Sequence, residues 1–95
     1  MDKVEHLLVC ISEECSEVIK AISKALRFGL NYNHPSKNIT NLTNIEMELD
    51  DLSGVLVALR EEAGIELKSL PQRIIEKKKR VKEYMNHARE IGKIT

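Results

Sequence analysis

The chain carries very little aromatic surface: Phe28, Tyr32 and Tyr84 make up 3% of it, and tryptophan is absent. A stacking platform for single-stranded nucleic acid and an aromatic cage for a quaternary cation are thereby excluded. Cysteine is scarcer still. Cys10 and Cys15 are the only two, and five residues along a helix turn through about 140°, so one helix cannot bridge them; they read as reduced core residues. There is no Cys-x-x-Cys pair, and His6, His34 and His87 have no paired spacing, so the chain lacks the ligand pattern of a zinc site and its histidines read as surface residues. No apolar run approaches the roughly 18 to 20 residues that cross a bilayer, and no charged-then-apolar segment opens the chain. The expectation is a soluble, cytoplasmic protein.

What is present is a globular mixture. The 95 residues are 42% apolar and 32% charged, enough for one small domain spanning residues 1–95 with a core of its own. Fifteen basic residues balance fifteen acidic ones, which is poor footing for a protein that neutralises phosphates along a duplex; neither nucleic acid nor membrane is expected as a partner. The neutral sum conceals a partition. Residues 1–62 hold 6 basic and 11 acidic side chains, whereas residues 63–95 hold 9 and 4. Such a division suits carboxylates that hold a cation near ammonium and guanidinium groups that hold an anion; the alternative is plain electrostatic docking of one helix on two others.

Apolar residues at Val4, Leu8, Ile11, Cys15, Val18, Ile22 and Ala25 alternate spacings of four and three, with no Gly or Pro before Gly29, which predicts one long helix from residue 3 to about 28. Residues 30–41 are polar and turn-prone and read as a loop. A second helix is expected from Leu42 or Thr43 to Ala63, with Thr43 as cap, Glu46 three residues on, and Ile45, Leu49, Leu52, Leu56, Leu59 and Ala63 on its buried face. Gly64 ends it. Pro71 opens a third helix, traced by Ile74, Val81, Met85 and Ala88 to about Ile91. The fold expected is all-α, an antiparallel bundle of three main helices. Because the apolar arc of the first helix is wider than one neighbour covers, the bundle should be completed by homo-oligomerisation, as a dimer or tetramer.

Placed at 100° per residue, the acids fall into two groups. Glu14 lies between Ala21 and the Leu7–Ala25 edge, inside the apolar arc, with Glu17 on its margin and Glu13 outside. On the second helix Glu48 lies between Leu59 and Val55, and Asp51 between Val55 and Ala58, whereas Glu46 and Asp50 point away. Burying one unpaired carboxylate costs several kcal/mol, and gathering four adds mutual repulsion, so a compensating charge is required. All-oxygen ligation suits a hard cation, Mg²⁺ or else Mn²⁺. The Glu-x-x-His pairs of di-iron bundles are missing, which argues against oxygen chemistry. A cation from the third helix would instead make a purely structural network.

The run Glu13-Glu14-Cys15-Ser16-Glu17 resembles the E-E-x-x-E motif of the MazG-like all-α nucleoside triphosphate pyrophosphohydrolases, and Glu48-Leu49-Asp50-Asp51 resembles their second motif, E-x-x-D. The flanks Lys24-Ala25-Leu26-Arg27-Phe28-Gly29 and Leu52-Ser53-Gly54-Val55-Leu56 are similar to segments of short, often phage-borne members. The likeness covers residues 8 to 60 well and the third helix loosely. Thirty residues, 18 to 47, separate the motifs, and Asp50 replaces a small residue common in the family; neither departure removes a ligand. The resemblance implies Mg²⁺-dependent cleavage of a nucleoside triphosphate between its α and β phosphates, with Glu14, Glu17, Glu48 and Asp51 as metal ligands and Glu13 as an accessory catalytic carboxylate or a solvated one. No sole general base is singled out.

For the phosphates, Lys77, Arg80 and Tyr84 align at i, i+3 and i+7 on the third helix, and Lys24 and Arg27 near the end of the first are further candidates. Lys78 and Lys79 read as solvated surface. Two rival functions share this pattern: a non-catalytic helical interaction module with an acidic patch, and a related phosphoribosyl-ATP pyrophosphohydrolase.

Overall fold

The structure is a computed structural model describing all 95 residues. It is all-helical, with α1 spanning Lys3–Phe28, α2 Asn41–Ala63 and α3 Pro71–Glu90. Asp2 starts α1 by accepting a hydrogen bond from the Glu5 amide at 2.8 Å, satisfying one of the donors that a helix start leaves free. Gly29 ends it at φ 98°, its amide bonded to the Ala25 carbonyl oxygen. α2 begins at Asn41, one or two residues earlier than the periodicity suggests. Its cap is Thr40, whose Oγ1 accepts from the Thr43 amide at 3.1 Å, and Thr43 is a first-turn residue. Gly64 closes α2 in the left-handed region, at φ 67°. Pro71 stands in the first turn of α3, where its missing N–H removes nothing.

α1 and α2 form an antiparallel hairpin. At its open end the Lys3 ammonium donates to the Glu62 carbonyl oxygen at 3.1 Å. At its closed end the Asn41 side-chain amide donates to the Gly29 carbonyl oxygen at 2.8 Å, and the Asn41 and Leu42 amides donate to the Tyr32 and Leu30 carbonyl oxygens. The connection is thus laced to the first turn of α2. Between the helices the core is thin: Ala21, Ala25 and Leu59 are buried, with Asn41 the one buried polar residue. Half-buried Val4, Leu7, Ile11 and Val18 on α1, and Ile45, Leu52 and Val55 on α2, extend the seam.

A second apolar edge stays uncovered. Leu8, Ile22, Leu49 and Leu56, expected on the buried faces, are exposed. The two cysteines are free, Cys10 half-buried and Cys15 exposed, so Cys15 is not the core residue its spacing suggested.

Within one chain the bundle stops at two helices. α3 makes no packing contact with α1 or α2, none of its residues is buried, and Ile74, Ile75, Val81 and Met85 face solvent. The radius of gyration is 17.0 Å, against about 12 Å for a compact chain of this length. No helix is long and apolar enough to cross a membrane.

With so small a core, Leu59 bears much of the hairpin's stability. Leu59→Ala, which empties a fully buried position, should lower the unfolding free energy by about 2–5 kcal/mol, read as a shift in the denaturation midpoint; Leu56→Ala, on the exposed edge, should change the isolated chain far less.

Candidate metal centre

The hairpin brings the acidic groups of both helices together across its seam. Glu14 on α1 and Glu48 and Asp51 on α2 each offer a carboxylate oxygen, and these atoms lie within 4.8 Å of one another. Glu14 and Glu48 are half-buried and Asp51 is exposed. In an octahedral Mg²⁺ site with bonds of about 2.1 Å, ligand oxygens stand about 3 Å apart when adjacent and about 4.2 Å when opposite. The bound on the three oxygens here, 4.8 Å, is close to the larger of these spacings. Three hard oxygen donors with no nitrogen or sulfur among them fit Mg²⁺ or Mn²⁺.

The electrostatics bear on the same group. The Glu14 carboxyl is raised above its ordinary range, first by loss of hydration between the helices and then by repulsion from Asp51, Glu48, Glu17 and Glu13. No cation from the chain relieves it. The only ion pair is His87–Glu90 at 4.0 Å, at the far end of α3, so neutralisation of these acids by a Lys or Arg of the third helix is not realised within one chain.

Glu17 stands apart from the three-oxygen group. It is exposed and lies three residues further along α1, where with Glu48 it lines a narrow polar cleft shared with Lys20, Lys24, Lys37 and Asn44. Glu13 is exposed as well, and its backbone carbonyl oxygen accepts from the Ser16 hydroxyl at 2.7 Å. Lys24 and Arg27 line a larger cleft at the closed end of the hairpin, near Phe28 and Tyr32. Lys77, Arg80 and Tyr84 are on α3 and are not brought to the carboxylates within one chain, because α3 does not pack on the hairpin. Lys37 and Asn44 were not among the sequence candidates. Lys37 sits in an aperiodic loop, and no helical spacing could have pointed to it.

Two antiparallel helices that present unpaired carboxylates to each other make this an all-α, acid-lined domain. The chain matches the MazG nucleotide pyrophosphohydrolase domain over residues 2–85, and it belongs to that family. Neither the curated proteins nor the solved structures compared with it gave a match.

The raised Glu14 carboxyl fixes a sign. Because its pKa is higher in the folded than in the unfolded chain, the folded state binds more protons through that window, and stability falls as pH rises through it. Glu14→Gln removes the repelled charge, so the metal-free variant should melt higher than wild type at neutral pH. Added Mg²⁺ should raise the wild-type Tm and raise that of the variant much less; equal responses in thermal melts would remove Glu14 from the ligand set.

Proposed function

We propose that the protein is a Mg²⁺-dependent nucleoside triphosphate pyrophosphohydrolase, acting on ribo- or deoxynucleotides and serving to sanitise the nucleotide pool. The observation that carries this reading is the convergence of Glu14, Glu48 and Asp51, none of them in an ion pair with a cation of the chain. Family membership supplies the reaction class. Magnesium, or manganese in its place, would be held by these three carboxylates with Glu17 at the rim. When bound, it offsets the charge of the phosphate oxygens and of the transition state.

The chemistry adds water across the α–β anhydride. A bond forms from the water oxygen to the α phosphorus, the bond to the bridging oxygen breaks, and pyrophosphate leaves with the monophosphate retained on the nucleoside. A carboxylate oxygen of Glu14, Glu17, Glu48 or Asp51 that is not occupied in ligation accepts the proton of the attacking water, with Glu13 as an accessory carboxylate.

The working form is proposed to be a homo-oligomer. Three features support it: the uncovered apolar edge of the hairpin, the exposed apolar residues of α3, and the opposite charges of the two halves of the chain. Packing α3 of one copy on the hairpin of another would cover both apolar faces and carry Lys77, Arg80 and Tyr84 toward the acidic seam.

Incubation with Mg²⁺ and a panel of ribo- and deoxynucleoside triphosphates should yield monophosphate and pyrophosphate. Diphosphate and phosphate as products, or no turnover by folded protein across the panel, would overturn the assignment, and turnover of phosphoribosyl-ATP alone would redirect it. Glu48→Gln should lower kcat by more than the about 10–100-fold that loss of an outer-sphere partner costs a metal site. Light scattering of the eluted protein should give at least twice the 10.8 kDa chain mass; a monomer at assay concentration would leave α3 without its proposed role.

A further inference from the structure

One stripe of α2 has no partner within the chain and no part in the carboxylate seam. Leu42, Glu46, Leu49, Ser53, Leu56 and Arg60 follow one another at alternating spacings of four and three, so they line up along one side of the helix. All six are exposed, the three leucines by 44%, 46% and 37%. Asp51 is two residues from Ser53, about 200° around the helix, so the stripe faces away from the acidic group. Neither Glu46 nor Arg60 forms an ion pair within the chain.

The C-terminal half of the stripe is shaped as a socket. Leu56, Val57, Arg60, Glu66 and Leu67 line a notch of about 130 Å³, comparable to the roughly 150 Å³ cavity that admits one benzene ring, so a single aliphatic side chain fills it. The N-terminal half offers what the socket lacks: Leu49 as an apolar knob and Glu46, one turn before it, as an acid for Arg60. The stripe is also self-complementary about its middle. Glu46 and Arg60 each lie seven residues from Ser53, and Leu49 and Leu56 lie four and three residues from it. An antiparallel copy turned about a two-fold axis at Ser53 therefore sets Leu49 against the partner's Leu56 and Glu46 against the partner's Arg60, and each contact occurs twice. Ser53, small and uncharged, stands where the two helices cross. A parallel copy would instead set Glu46 on the partner's Glu46 and Arg60 on the partner's Arg60, which like charge opposes.

We infer that this stripe is a self-pairing surface: a second copy of the chain docks on it antiparallel, α2 on α2, with Leu49 seated in the partner's notch and Glu46 paired with the partner's Arg60. The pairing rests on the homo-oligomer proposed above, whose face it names, and not on the activity. From Leu42 to Arg60 the stripe runs about 27 Å, and at one helix width it covers about 300 Å² per copy, short of the roughly 800 Å² of a stable interface. The α1 edge of Leu8, Ile19, Ile22 and Leu26, also exposed, has to be covered in the same assembly, and it is left for α3 of the partner. Because the paired stripes lie behind the carboxylates, the two acidic groups of the dimer open away from each other. Neither takes a residue of the other chain through this contact.

Charge reversal on the full chain tests the pairing, with the dimer dissociation constant read by sedimentation equilibrium and folding verified by circular dichroism. Arg60→Glu and Glu46→Arg should each weaken the dimer about ten-fold or more, since each sets like charges together twice. The double variant Glu46→Arg/Arg60→Glu should return the constant to within about three-fold of wild type, a coupling that two independent surface changes would not show. Stronger association of Arg60→Glu would assign the stripe to the basic α3 of a second copy and overturn the inference. So would a double variant that dimerises no more tightly than either single one. A dimer indifferent to both reversals would overturn this pairing and leave the homo-oligomer standing, whereas a wild-type monomer at every concentration would remove both.

Discussion

Close approach of α1 and α2 is the constraint on which the molecule turns. Ala21, Ala25 and Leu59 at the seam let the helices sit near enough for Glu14 to meet Glu48 and Asp51. The same approach takes part of the water from Glu14, so packing and repulsion oppose each other at one place. A hairpin optimised only for stability would put apolar side chains at positions 14 and 48. Carboxylates there instead concentrate negative charge at the seam, and the packed helices around it are the frame that holds them together.

Polarity then changes sign along the hairpin. Carboxylates dominate its middle and unpaired ammonium and guanidinium groups its closed end. An extended anion carrying a divalent cation matches that sequence of charges, with the cation against the acids and the free phosphate oxygens against the bases. Under the proposed activity such a gradient would orient the ligand, since a reversed one would place phosphate on carboxylate.

The helices were legible because their periodicity is long and glycine and proline punctuate it. Residues 14, 48 and 51 stood out because each interrupts an apolar arc, which is visible at 100° per residue. The edge containing Leu49 and Leu56 was assigned to the core because sequence alone marks an apolar arc without saying which part of it the intramolecular partner covers. The Thr43–Glu46 spacing fits a capping box and so points to Thr43, whereas the laced loop sets the start of α2 at Asn41 and makes Thr40 the cap. Lys37 was invisible for a related reason: its position depends on a connection with Asn38 at positive φ and a bridge between Asn33 and Thr40, features that follow no repeat.

The segment 64–70 between α2 and α3 contributes nothing to the acidic seam, and a Cβ added at Gly64 would meet no atom within 4 Å. Lengthening this connection would widen the reach of α3 and leave the packing of α1 on α2 in place. The hairpin that gathers the carboxylates and the helix that carries the basic run are thus set apart, each able to change length without altering the backbone contacts of the other.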